Sequence, residues 1–167
     1  MTMVERARVF ATAAHAAVGQ VRKYTFEPYI VHPAEVAKIV RDAGGTDAMV
    51  AAAWLHDTVE DTGVTIETIR AEFGAEVAEL VEWLTDVSKP EDGPRWFRKK
   101  MDREHTADAP AEAQTVKLAD LIANTRSIMA HDPKFAKVYL EEKRLLLEVM
   151  TKGDAVLMAE ARKFIGG

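Results

Sequence analysis

The chain has 167 residues, 48% of them hydrophobic and 29% charged, with a formal net charge of -5. That is the size of one ordinary domain with enough apolar content for a core, and the acidic balance argues against a general nucleic-acid binder, which needs a basic face. The absence of cysteine excludes disulfides, thiolate ligands and cysteine nucleophiles, and it fits a reducing, cytoplasmic setting.

In chain order, residues 3–20 read as a first helix. Val4, Ala7, Phe10, Ala11, Ala14 and Val18 form an apolar stripe at helical spacing. His15 lies beside that stripe as a satisfied helix histidine, and Gly19 weakens the helix end. Residues 21–31 mix aromatic and basic side chains and form an extended lead into a second helix over 33–42, with Pro33 at its first position and Gly44-Gly45 after its end. Thr46 caps a third helix over 47–59, whose Ala48 to Leu55 is nearly all apolar and therefore central and buried. Helices over 66–73 and 75–86 follow, separated by Gly74. Residues 87–94, with two prolines and a glycine, are the clearest loop. Arg95 to His105 is a basic, amphipathic segment, with His105 exposed near a loop. Helices over 110–130 and 133–151 come next, then a last short one that starts at Gly153-Asp154 and ends at Gly166-Gly167. No stretch reads as a sheet. The expected fold is an all-α bundle of roughly seven to nine helices in a single domain over 1–167. The N-terminus lacks a basic-then-apolar signal pattern, no uncharged apolar run approaches the ~20 residues of a membrane span, and no internal repeat is evident.

The densest chemistry lies at the end of the third helix. His56, Asp57, Glu60 and Asp61 gather within six residues, with no Lys or Arg within eight positions of them. Glu60 shares a face with His56, and Asp61 stands beside Asp57. Polar groups so close to an apolar run need hydrogen bonds, paired charge or a metal, and this excess of negative charge asks for a cation. Asp120 repeats the theme inside the apolar stripe of Val116, Leu118 and Ala119, with Asn124 one turn later. If the helices converge, His32, His56, Asp57 and Asp120 form a two-nitrogen, two-oxygen set. Such a set suits one Mn²⁺ or Fe²⁺ per chain, with Zn²⁺ as an alternative and Mg²⁺ less favoured. The competing reading is a plain hydrogen-bonded His-Asp pair. Arg22 and Lys23 are candidate phosphate contacts, with Lys117 and Arg126 weaker ones. Arg98, Lys99, Lys100 and Arg103 make either a basic wall over a site or an ordinary solvated face. Tyr139 and Lys143 share a face of the late helix and could reach a ribose or phosphate, whereas its leucines read as core or subunit contacts, which leaves a homo-oligomer open.

Taken together, Arg22-Lys23, Pro28-Tyr29-Ile30-Val31-His32-Pro33, Leu55-His56-Asp57-Thr58-Val59-Glu60-Asp61-Thr62, Phe73-Gly74 and Lys117-Leu118-Ala119-Asp120 with Asn124 resemble the HD-domain metal-dependent phosphohydrolases. The likeness is closest to the hydrolase domain of the bifunctional RelA/SpoT alarmone enzymes and their small stand-alone relatives. The resemblance implies an all-α fold, His32, His56, Asp57 and Asp120 as ligands of a metal that is usually Mn²⁺, and Glu60 and Asp61 as the acidic pair that positions or activates water. It further implies Arg22, Lys23 and Asn124 on the substrate side. The implied reaction is hydrolysis of the 3′-pyrophosphate of guanosine tetra- or pentaphosphate, and the implied partner is a small nucleotide, with neither a nucleic-acid polymer nor a membrane.

Two stretches depart from that pattern. The family often has a glycine ahead of Pro-Tyr-Ile, where this chain has Tyr24-Thr25-Phe26-Glu27, and it carries Arg and His where this chain has Leu121 and Ala123. A phosphohydrolase of the same kind acting on another nucleotide, such as a nucleoside monophosphate, is the main alternative. A non-catalytic binding protein on the same fold is a third reading, disfavoured by the intact ligand and acidic positions.

Overall fold

A computed structural model describes residues 1–165, so the expected helix stop at Gly166-Gly167 lies outside the described residues. Among the described residues there are ten α-helical segments. One of them is a single turn, which leaves nine of eight residues or more and matches the all-α expectation. Among the described residues no helix is long and apolar enough to cross a membrane. The chain groups into two compact units, Met1–Thr85 and the residues from Asp86 onward, each with its own core.

In the first unit α1 spans Met3–Ala17, α2 Val31–Asp42, α3 Asp47–Leu55, α4 Thr58–Asp61, α5 Ile66–Phe73 and α6 Ala75–Leu84. Helix α1 opens with a capping box, Glu5 N–H donating to Thr2 Oγ1 at 3.2 Å and Thr2 N–H to Glu5 Oε2 at 2.7 Å. It closes three residues before the expected end. Gly19 adopts φ 66°, and the N–H groups of Gly19 and Gln20 turn back to the carbonyls of Ala16 and His15. This is a Schellman stop, which needs a residue tolerant of positive φ. Thr46 and Thr65 cap α3 and α5 as residue type predicts. Helix α3 is the hub. Its buried run Ala48–Ala53 is mostly small, so α1, α2 and α6 all pack against it. The expected helix over 47–59 is interrupted: α3 stops at Leu55, and α4 begins at Thr58.

In the second unit a 3₁₀ turn, Pro90–Asp92, leads to α7 (Arg95–Asp108), α8 (Ala111–His131), α9 (Pro133–Val149) and α10 (Ala155–Ile165). Asp132 caps α9 by accepting the Phe135 N–H at 3.1 Å, one residue ahead of Pro133 as the sequence suggests. Helix α8 packs on α9 and α10, and α7 packs on α9. His105 is half-buried within α7 rather than exposed near a loop, because α7 runs on to Asp108. Gln114, fully buried, ties the end of α7 to the start of α10. Its amide nitrogen donates to the carbonyl of Thr106 at 3.1 Å and lies 3.3 Å from that of Ala109. Its amide oxygen accepts the Lys152 N–H at 2.9 Å.

Replacing Gln114 by leucine keeps the volume but strands the Lys152 N–H and takes one hydrogen bond each from the Thr106 and Ala109 carbonyls, which keep the Ala109 N–H and Lys152 Nζ. Gln114→Leu is expected to lower the unfolding free energy by about 2–4 kcal/mol. Urea denaturation followed by circular dichroism measures this, and an unchanged midpoint would show that the amide network is dispensable.

Candidate functional site

The break between α3 and α4 has a local cause. Near the end of α3, the Ala53 carbonyl accepts a hydrogen bond from His56 Nδ1 at 2.7 Å, and the Leu55 carbonyl accepts one from Thr58 Oγ1 at 2.8 Å. Side chains thus satisfy carbonyls in the last turn, and the chain can redirect at His56-Asp57. The first bond also assigns the His56 tautomer. A carbonyl only accepts, so Nδ1 carries a proton, and in the neutral ring Nε2 presents its lone pair.

That lone pair faces a carboxylate. His56 Nε2 lies 3.1 Å from Asp57 Oδ2, and His32 Nε2 lies 3.8 Å from the same oxygen. His32 is 1% exposed and His56 3%. Ligand atoms of His32, His56 and Asp57 all lie within 4.8 Å of one another. An imidazole lone pair and a carboxylate oxygen at contact repel unless a proton or a metal cation lies between them. Two imidazole nitrogens and one carboxylate oxygen are a donor set that fits Mn²⁺, Fe²⁺ or Zn²⁺. A histidine whose other ring N–H is held by a backbone carbonyl is the usual posture of a metal ligand. Tyr29 completes the setting by donating its phenol to Asp57 Oδ2 at 2.5 Å.

Glu60 and Asp61 follow on the single turn of α4 and face solvent. Partial burial raises the Asp61 carboxyl above the usual carboxylate range; Gln20, donating to Oδ2 at 3.1 Å, pulls it down, and the Asp57 charge pushes it further up. Arg22 stands over the Tyr29 ring at 5.9 Å, and Lys23 over Tyr24 at 5.4 Å. Both belong to a loop pinched by an antiparallel bridge between Val21 and Pro28, more closed than a plain extended lead. Phe26 in that loop takes φ 60° and is 75% exposed as a residue. The turn keeps a left-handed residue just ahead of Glu27-Pro28 even though no glycine is there to adopt it without strain.

The other expected residues lie in the second unit. Asp120, on α8, accepts a hydrogen bond from Asn124 Nδ2 at 3.0 Å, and Lys117 Nζ is 3.9 Å away. Tyr139 is buried on α9, and burial together with the Asp120 charge pushes its phenol well above the ordinary range. Lys143 Nζ sits 4.9 Å from the Tyr139 ring centroid. Burial, reinforced by Lys117 and Lys99, lowers Lys143 to about 8. Lys99, Arg103, Lys117 and Lys143 line one recess with Asp86, Asp102 and Glu142. Asp102 is engaged by Val87 N–H, Ser88 N–H and the Ser88 hydroxyl, and Glu142 by both arms of Arg95, so the recess is net cationic. Of the weaker candidates, Arg126 is bound to Glu160, and Arg98 donates to the Gly93 carbonyl. Sequence reasoning gave no role to Gln20, nor to Tyr29 as a partner of Asp57. The only signal for Gln20 was its place directly after the helix-stopping Gly19.

Comparison with known proteins agrees with this picture. The HD domain family model matches residues 7–146. A Synechocystis protein named probable guanosine-3′,5′-bis(diphosphate) 3′-pyrophosphohydrolase is 41% identical over 142 residues, which cover 79% of this chain and 17% of that protein. The MESH1 guanosine-3′,5′-bis(diphosphate) 3′-pyrophosphohydrolase of Xenopus tropicalis is 43% identical over 109 residues, covering 64% of this chain and 59% of it. The chain therefore spans less than two thirds of either relative. The fold matches a solved structure of a metazoan ortholog of SpoT with a TM-score of 0.87 at 24% identity, over 99% of this chain and 95% of that one.

The phenol of Tyr29 holds the Asp57 carboxylate from outside the donor set, as orienting partners of metal ligands do. Tyr29→Phe is expected to weaken the binding of a divalent metal, probed with Mn²⁺, about 10–100-fold. Titration calorimetry on metal-stripped protein reads this directly, and an unaltered Kd would remove Tyr29 from the site.

Proposed function

The chain belongs to the HD domain family, and from that membership we propose that it hydrolyses the 3′-pyrophosphate of guanosine tetra- and pentaphosphate, giving GDP or GTP and pyrophosphate. The observation that carries the hydrolytic reading is the His32–His56–Asp57 cluster, where two buried imidazole nitrogens lie 3.1 and 3.8 Å from one carboxylate oxygen. In this reading the two units work as one HD-type domain over 1–167, and Asp120 is the fourth ligand of a single Mn²⁺. Two carboxylates and two neutral imidazoles balance the charge of a divalent ion. An ion held there polarises a phosphoryl oxygen and brings the pKa of bound water toward neutrality.

The chain's own groups do the rest. Glu60 accepts the proton of the attacking water, and Asp61 orients that water or shares the role. Arg22 and Lys23 meet the phosphates or stack near the base, while Tyr139, Lys143 and Asn124 contribute from the second unit. The cationic recess around Lys143 supports a highly anionic substrate, and the names of the Synechocystis and Xenopus relatives support its identity as a guanosine polyphosphate. The setting is cytoplasmic, and the partner is the small nucleotide, with no nucleic-acid polymer and no membrane. A second reading, hydrolysis of another nucleotide such as a nucleoside monophosphate, is favoured by one observation. Leu121 and Ala123, where the family carries Arg and His, are 1% and 0% exposed and offer no polar group.

Metal-stripped protein given guanosine tetraphosphate and Mn²⁺ is expected to release pyrophosphate. Asp120→Ala is expected to cut the rate by more than about a hundredfold, beyond what loss of an outer-shell partner costs. Tight Mn²⁺ binding without pyrophosphate release, together with turnover of nucleoside monophosphates, would select the second reading. A separate check follows from Lys143, whose lowered pKa means that it loses its proton as pH rises through about 8. KM for the nucleotide is expected to climb between pH 7 and 9, and Lys143→Arg, which stays charged, is expected to flatten that climb. Equal climbs in both proteins would remove Lys143 from phosphate binding.

A further inference from the structure

The stop of α1 delivers a side chain to the acidic turn. With Gly19 at φ 66°, the Gln20 N–H returns to the His15 carbonyl at 3.1 Å, and the Gln20 carbonyl accepts the Tyr29 N–H at 3.1 Å. The main chain of Gln20 is therefore held on both sides. Its side chain is held as well. Nε2 donates to Asp61 Oδ2 at 3.1 Å, and because a carboxylate only accepts, the amide oxygen must point the other way. It meets His15 Nδ1 at 2.8 Å, so that nitrogen carries the proton. His15 is 1% exposed, its ring lies against Tyr29 at 4.7 Å, and its Nε2 is buried with no hydrogen-bond partner. A lone pair there is tolerated better than a stranded N–H, which agrees with the same tautomer.

This arrangement is poorly explained by stability. A hydrogen bond to an exposed carboxylate contributes little to folding, whereas a buried imidazole with one idle nitrogen is costly. What the chain of contacts does provide is orientation. Asp61 ends a one-turn helix near the surface, and the Gln20 amide fixes one of its two carboxylate oxygens.

We propose that His15 and Gln20 are positioning residues for Asp61: His15 locks the Gln20 amide, and Gln20 holds Oδ2 so that Oδ1 is the oxygen offered to the reacting water. The proposal rests on the reading of Asp61 as part of the catalytic pair.

Three variants and two kinds of measurement test it. Gln20→Leu keeps the backbone bonds, His15→Phe keeps a ring against Tyr29 but has no donor, and His15→Asn keeps a donor close to the place of Nδ1. Gln20→Leu and His15→Phe are expected to lower kcat about tenfold to a hundredfold, with KM and Mn²⁺ affinity changed less than about twofold, and His15→Asn to restore most of the rate. Long-range ¹H–¹⁵N spectra of the wild-type protein without metal are expected to show the His15 proton on Nδ1, with its signal moving in Gln20→Leu. Wild-type kcat in Gln20→Leu, full activity in His15→Phe, or a His15 proton on Nε2 would each overturn the proposal. If the wild-type protein releases no pyrophosphate from any guanosine polyphosphate, the functional reading fails alone. The spectra still decide the pairing, because an unmoved His15 signal in Gln20→Leu would sink it.

Discussion

One close contact, a histidine nitrogen against a carboxylate oxygen, sets the terms for the first unit. Asp57 Oδ2 and His56 Nε2 are 3.1 Å apart, and the His56 proton is already committed to the Ala53 carbonyl. Such a pair is stable only with positive charge between its members. The carbonyl end of α3 adds its own partial negative charge at the same place. Helix α3 cannot shift to relieve the contact, because α1, α2 and α6 close around its small buried side chains. The packing of an apolar helix thus fixes two polar residues just past its end, and the chemistry follows from where that helix stops.

The second unit handles charge in the opposite sense. A chain with net charge -5 still gathers Lys99, Arg103, Lys117 and Lys143 around one recess. It does so by occupying two of the lining carboxylates elsewhere: Asp102 on the backbone of the preceding turn, and Glu142 on Arg95. Net charge is therefore a weak guide to what a particular recess attracts. The depressed Lys143 records its burial first and then the closeness of Lys117 and Lys99.

Glycine use shows how the turns are specialised. Gly19 is needed because the Schellman stop puts positive φ at the residue before Gln20, and that stop aims Gln20 at Asp61. Phe26 adopts the same kind of conformation without being glycine and stays largely exposed. The loop bearing Arg22 and Lys23 thus keeps its bend at a conformational cost, held by the Val21–Pro28 bridge.

Much of the architecture could be read from residue order. Apolar periodicity located most of the long helices, though it gave only a basic amphipathic segment where α7 lies, and Thr46 marked a helix start, because caps and stripes are properties of neighbouring residues. The crowding of His56, Asp57, Glu60 and Asp61 was visible for the same reason. Other features were out of reach. That α3 breaks at Leu55 depends on side chains taking the Ala53 and Leu55 carbonyls in place of a continuing helical ladder. That His32 reaches Asp57 depends on α2 packing beside α3, and that His15 is tied through Gln20 to Asp61 depends on the end of α1 meeting α4, 41 positions further along the sequence. Local sequence determined which segments are helical and which residues are chemically suited to a site. Tertiary packing alone decided which of them meet, because contacts between distant segments are set by burial and not by spacing along the chain.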